Sequence, residues 1–569
     1  MSANIKASVD GTQAIIGVGG VDQMTVSNAG VVTANSFVGA MSAGNISSAT
    51  ALATGSTAAR TLANRFADVV NVKDFGAVGN GIADDTAAIQ AALTAVPSGG
   101  SLFFPTGTYL GYLLIWRGDI SILGSGSAST KIKLPNNCPS ITVPWEPGGT
   151  ITGLPNVIEL GKCALGNIAT DYSNVTIKGI TIDGNYTNNT APTTDLFGHG
   201  IIITKTSKCF IDDVIVQNCF LTGIDNVINS NYNSIKAKTI NCGNAVVYGG
   251  NYPNFDINSS KYGQFDIISS GGYYGGRMLD NCWGNSLNIT VYDSEFTGFV
   301  YNNQSVNQSY SNIINAMIID GCNFGQGVSI GSNCNNSQIN ATIRNVTGIG
   351  FWMGGASLAS APTGNTVNVN TYNCGTNGIY LNQYCQYNTF NIVSKQDGRS
   401  GGSGSSFAVD VDGADNNQFT VCIQEGTISQ VRGFIFRSGS TNNHVIDLLF
   451  DPNLVQSIND LGTGNYINWP SGSPTSAIAS SNTINIPFGG SLFEISGNTG
   501  IVSADTSNTY RGRVITLRFQ SNPIIYHKTA TPGENFILSG SVNFNATAGD
   551  TLTFITDGTD WIEIGRTVI

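Results

Sequence analysis

Between residues 200 and 381 a glycine opens a short apolar run seven times: Gly200-Ile-Ile-Ile, Gly223-Ile-Asp-Asn-Val, Gly275-Gly-Arg-Met-Leu, Gly298-Phe-Val-Tyr, Gly327-Val-Ser-Ile, Gly350-Phe-Trp-Met and Gly378-Ile-Tyr-Leu. Most successive starts lie 23 to 29 residues apart, and the wider interval from Gly223 to Gly275 leaves room for two units. That period is the length of a solenoid coil with two or three short strands. No such unit buries its apolar face alone, so stacking must supply the core. Asn218, Asp293, Asp320, Asn345 and Asn373 each stand five residues before a glycine. They read as a ladder at one turn, satisfying backbone groups coil after coil. The repetitive region runs from about residue 150 to residue 450.

Composition agrees with a turn-dense β protein: 70 glycines in 569 residues and only 11% charged side chains. The net charge of −11 and a pI near 4.7 argue against a nucleic-acid partner, which needs a basic surface. The same charge repels an anionic polysaccharide unless a local basic strip overrides it. There are eleven cysteines and no CxxC pair. Cys219, Cys242, Cys322 and Cys374 follow Asn or Gly late in β-runs, as residues stacked inside coils do. Three histidines draw no metal constellation, and neither a metal nor a cofactor is expected. Met1-Ser-Ala-Asn-Ile-Lys6 lacks the apolar run of a leader, and no apolar stretch is long enough to cross a membrane. The expectation is synthesis in a reducing cytoplasm, with release by lysis and no membrane insertion.

Three regions follow. Residues 1–65 are small and polar, with weakly apolar strands such as Met24-Thr-Val-Ser-Asn-Ala-Gly-Val-Val-Thr-Ala34. Residues 66–470 hold the repeats, and residues 471–569 read as short strands with Gly, Asn and Asp turns, Asp557-Gly558 being a hairpin signal. Within the second region, Val69-Val-Asn-Val-Lys-Asp-Phe-Gly-Ala-Val-Gly-Asn-Gly-Ile-Ala-Asp-Asp-Thr86 opens a short helix over Thr86–Leu93 that Asp84 or Asp85 caps. An apolar strand, Leu102-Phe-Phe-Pro105, follows. These elements, in this order, resemble the opening of the pectate-lyase-like, right-handed β-helix family used by bacteriophage tailspikes. The resemblance implies an all-β, right-handed parallel β-helix with a fibre-like N-terminal stem and a C-terminal β-sandwich-like domain. It also implies a homotrimer in the virion, attached to phage tail or baseplate proteins through its N-terminus and acting on a bacterial surface polysaccharide.

A parallel β-helix spaces side chains about 4.8 Å apart across strands and about 6.7 Å apart at i and i+2. Glycosidases need two carboxyls roughly 5–5.5 Å apart for retention or roughly 6.5–9.5 Å for inversion. Asp410 and Asp412 in Phe407-Ala-Val-Asp-Val-Asp-Gly413 offer the second spacing if Phe407, Val409 and Val411 point inward. They are equally read as turn aspartates, or as partners of Arg437 one coil on. A second group is Arg277, Asp280 and Glu295, with solvated surface charge as its ordinary reading. Asp225 is a further outward carboxylate. Aligned on glycine, the second residue of each coil gives an outward strip of Asp225, Arg277, Val300, Ser329, Trp352 and Tyr380. Sugar ring faces would pack on Trp352 and Tyr380 while Arg277 meets hydroxyls or acid groups, unless a neighbouring subunit covers them. His199 in Gly198-His199-Gly200 resembles a polygalacturonase motif, but the carboxylates expected before it are absent, so it reads as a turn histidine. The leading expectation is a depolymerase acting by hydrolysis. The alternatives are a lyase acting by β-elimination, a non-catalytic receptor-binding spike, or a cellular lyase.

Overall fold

The computed structural model describes strands within residues 3–34, then residues 50–569 apart from 145–149, 162–170, 194–195, 244–251, 304–307, 324, 399–405, 425–431, 451–455, 468–476, 487–490, 507–510, 530 and 532–533. The chain divides into two units, residues 1–67 and residues 68–569. In the first, the strands Ala3–Ala7, Gln13–Val18, Val21–Ser27 and Val32–Ala34 form an antiparallel sheet in chain order. Much of the remaining fibre-like stretch lies outside the described residues. The second unit is a parallel β-helix of about 16 turns followed by a C-terminal domain.

Each coil gives one strand to an 18-stranded sheet and one to a 13-stranded sheet, as Thr366–Tyr372 and Ile379–Leu381 do. Alternation along these strands fills the interior: Val367, Val369, Ile379 and Leu381 are buried, while Asn368 and Tyr380 point away. The coil glycines answer to a close approach. A Cβ on Gly327 would lie 2.7 Å from the carbonyl oxygen of Gly350 in the next coil, and one on Gly350 2.6 Å from that of Gly378. The helix, Thr86–Ala95, buries Ile89, Ala92 and Leu93 in the first coils' core. Asp85 is its N-cap residue but makes no side-chain capping bond, while Asp84 accepts from Thr86 N at 2.9 Å. Asp85 instead accepts from Val78 N and Gly79 N at 2.7 and 3.1 Å, closing the preceding loop.

The expected Asn/Asp ladder lies elsewhere. Asn218, Asp293, Asn345 and Asn373 form a turn by taking left-handed φ angles of 51–59°. The side chain of Asp320 lies outside the described residues. The column that satisfies backbone groups coil after coil follows the other turn, at Asn285, Asn312, Ser337, Asn365, Asn388, Asn417, Asn443 and Asn465. Within it Asn388 N and Asn417 N donate to Asn417 Oδ1 (2.9 Å) and Asn443 Oδ1 (3.0 Å). Each side-chain amide then returns to a carbonyl, Asn417 Nδ2 reaching Cys385 O at 2.9 Å. Cys219, Cys242, Cys322 and Cys374 are fully buried and unbridged, inside the coils as their spacing implied.

Residues 478–569 hold a six-stranded mixed sheet and two-stranded pairs that share a separate core, including Phe493, Leu517, Phe536, Phe554 and Trp561.

Two stability predictions follow from this interior. Asn417→Ala orphans Asn388 N and Cys385 O, and should lower unfolding free energy by about 3 kcal/mol, at roughly 1–3 kcal/mol per orphaned group; denaturant midpoints measure this. Asp397 is buried, and burial pushes its carboxyl above the usual range, although Ser394, Thr371 and Cys374 N donate to it. A raised folded pKa contributes stability below the unfolded value of about 3.9 and loses it as pH rises through the folded value. Asp397→Asn should therefore flatten the decline in denaturation midpoint from pH 4 upward.

Candidate functional site

On the 13-stranded sheet the strands are short, so each presents one central side chain outward. Phe351 and Met353 are buried on either side of half-buried Trp352, and the same holds around Ser329 and Tyr380. Parallel register sets these outward residues in one column: Glu159, Ile202, Asp225, Asp256, Arg277, Val300, Ser329, Trp352, Tyr380, Asp410 and Ile435. Neighbours in it are about 4.8 Å apart. This is the strip read from the glycine alignment, with Asp256 inserted. Asp256 escaped that alignment because Asn254 stands in its coil where glycine stands in others. The Phe255-Asp256-Ile257 alternation was the signal available.

The column carries two polar clusters. In the first, Arg277 Nε donates to Asp256 Oδ2 at 3.1 Å, and Arg277 Nη2 reaches the same oxygen. Asp256 Oδ1 is buried without a hydrogen-bond partner among the described protein atoms. Asp225, 8% exposed, faces Asp256 across one strand spacing, and its Oδ2 lies 3.6 Å from Nδ1 of His199. His199 is 1% exposed, so it is a buried partner of the column and not a turn histidine. Asn156 ties the elements together, accepting from His199 N at 3.0 Å and donating to Glu159 Oε2 at 3.3 Å, while Trp116 Nε1 donates to Glu159 Oε1 at 3.0 Å. Glu159, Asn156 and His199 were missed or misread because no local spacing marks them. Only the stacking of coils brings them to Asp225.

In the second cluster, Asp410 faces Ile435, and Arg437, two residues further, reaches back to it. Arg437 Nε and Nη2 donate to the two carboxylate oxygens at 2.7 and 2.6 Å. Asn377 Nδ2 adds a contact at 3.3 Å. Asp410 is 1% exposed, and burial pushes its carboxyl up against the opposing pull of Arg437. Its role is to hold the guanidinium, the ordinary reading of this pair, so Asp410 and Asp412 do not both stand free on the surface. Asp412 remains half-exposed and accepts from Tyr380 Oη at 3.1 Å. Burial, then Asp412, pushes that phenol up to about 12.

The pairing of Asp280 with Glu295 is a correction. Asp280 follows Leu279, which is opposite Asn302, whereas Glu295 precedes Thr297. They lie at opposite ends of the strand Thr297–Asn302, roughly 17 Å long. Glu295 is exposed, and nothing places it beside Arg277. Among the described residues, no group of three His, Cys, Asp or Glu side chains is placed to hold a metal ion.

Residues 69–146 match the family model described as rhamnogalacturonase A/epimerase, pectate lyase-like. The chain is similar to mannuronan C5-epimerase AlgE2 of Azotobacter vinelandii, 36% identical over 129 residues, covering 21% of this chain and 11% of that protein. It is also similar to plasmin and fibronectin-binding protein A of Streptococcus pneumoniae, 31% identical over 192 residues, covering 27% of this chain and 25% of that one. The chain thus spans a quarter or less of either relative. Among solved structures, the pre-mature gene product 12 of bacteriophage phi29 aligns with a TM-score of 0.47 and 15% identity, over 77% of this chain and 62% of that chain.

The ion pair at Asp410 generates an asymmetric prediction. Arg437→Met leaves a buried carboxylate uncompensated and should destabilise by about 3 kcal/mol. Asp410→Asn leaves a guanidinium that reaches solvent and should do less. Paired denaturant titrations decide it.

Proposed function

We propose that this chain is a phage tailspike whose coils bind an extended bacterial surface polysaccharide along the outward column and hydrolyse it at Asp225 and Asp256. The carrying observation is that pair: two carboxylates on adjacent strands, shielded from water, between His199 and Arg277. Strands about 4.8 Å apart allow facing carboxyls to reach the roughly 5–5.5 Å separation of retaining glycosidases. Asp256, oriented by Arg277, would attack the anomeric carbon while Asp225 delivers a proton to the departing oxygen. Water would then give its proton to Asp225 and displace Asp256, restoring both groups. Further along the column, Trp352 and Tyr380 offer ring faces and Asp412 and Arg437 polar contacts for more distant sugars. The first unit would attach to the phage tail, and three chains would assemble. The activity named in mannuronan C5-epimerase, a protein similar to this chain over 129 residues, supports a sugar-chain substrate.

A second reading has its own support. Arg277 of the column and Arg437 beside it are already paired with buried aspartates, which suits recognition without turnover. The similarity to a plasmin- and fibronectin-binding protein points the same way.

The test incubates the protein with capsule and lipopolysaccharide preparations, following reducing ends and unsaturated-uronate absorbance together. Reducing ends alone are expected, with Asp225→Asn and Asp256→Asn each losing roughly 10²–10⁴-fold in rate. New absorbance instead establishes elimination, and binding without either signal establishes an adhesin.

A further inference from the structure

One turn of every coil, between the shorter sheet and the longer one, requires a left-handed residue. Asn336, Asn416, Asn442, Gly284, Gly364 and Gly464 meet the requirement with residue types that tolerate it. Lys208, Ser311, Tyr387 and the adjacent pair Tyr232 and Tyr262 do not belong to those types, and the pair holds φ at 56°. Bulky residues in this region are strained, and such strain gathers at functional sites. The solenoid does not demand tyrosine there, since other coils place Lys208, Gly284, Ser311, Asn336 and Gly364 at the same position.

What the strain secures is an exposed aromatic surface. Tyr232 and Tyr262 are 57% and 49% exposed and stack with centroids 5.3 Å apart and planes 19° apart. The Tyr262 ring lies over Gly284, where an added Cβ would be 2.7 Å from it. Beside them Trp283 stacks on Tyr310 at 5.1 Å, and the ammonium of Lys261 sits 3.8 Å from the Trp283 ring centroid. Trp283 Nε1 donates to Asn281 Oδ1 at 2.8 Å, which fixes the indole. Tyr232 stands seven residues after Asp225, Tyr262 six after Asp256 and Trp283 six after Arg277. The surface therefore flanks the coils that carry the first polar cluster, within roughly 25 Å of chain.

We propose that Tyr232, Tyr262, Lys261 and Trp283 form a second carbohydrate subsite, which takes pyranose rings of the polysaccharide as it leaves the outward column. Apolar ring faces meet the sugar's C–H face, and Lys261 supplies donors to hydroxyl or acid oxygens. This rests on the reading of the protein as polysaccharide-binding, and it adds a site that reading does not need.

The test is the double variant Tyr232→Asn/Tyr262→Asn in the full chain, with Tyr387→Asn as control. Tyr387 takes the same turn position alone, at φ 53°. The probe is the capsule or lipopolysaccharide preparation that the wild-type chain binds, titrated by tryptophan fluorescence. The expected result is an unchanged or raised thermal midpoint, since Asn relieves the strain, with binding weakened about tenfold. The control should bind within about twofold of wild type. A double variant that binds like wild type overturns the subsite while leaving the proposed function intact. Equal weakening by the control overturns its location, and a wild-type chain that binds no polysaccharide overturns both readings.

Discussion

The buried asparagine column is what the rest of the molecule depends on. Each side chain accepts a backbone N–H and donates to a backbone carbonyl of the preceding coil, so consecutive coils are locked in one register. In a parallel stack a slip of one residue would turn every outward side chain inward. Because the register holds, single central residues of many short strands become one continuous outward column. The column is a consequence of repetition, and its chemistry comes from substitutions that repetition tolerates.

Those substitutions share a logic. At Asp256 and at Asp410 a buried carboxylate holds an arginine from the following coil. A chain with net charge −11 thereby presents guanidinium groups at fixed points of a mostly uncharged face. Burying carboxylates is unfavourable by itself, and pairing with a bidentate donor offsets the penalty. Asp397 shows the case without a cationic partner, where two hydroxyls and the backbone N–H and thiol of Cys374 answer the carboxyl and burial raises it.

The coil period, the inward–outward alternation and most of the outward strip were legible in the residues, because each follows from spacing within one unit. Asp256 was not, since its coil lacks the leading glycine. His199 was not, since its meaning lies in a contact with Asp225 made by stacking. Asp280 and Glu295 were close in sequence and alike in chemistry, yet strand direction separates them. The interior asparagine column was overlooked in favour of a turn that left-handed backbone already satisfies. Sequence spacing marks what one coil does, and contacts between coils decide which side chains meet.

The central claim is that sugar chains lie along the outward column. It is tested most directly by a crystal structure of the Asp256→Asn variant soaked with oligosaccharides from a polysaccharide that the wild-type chain binds. The account predicts saccharide density running across the coils from Arg277 towards Tyr380, with a ring against Trp352. Density confined to the C-terminal domain or to the outer face of the longer sheet would contradict it.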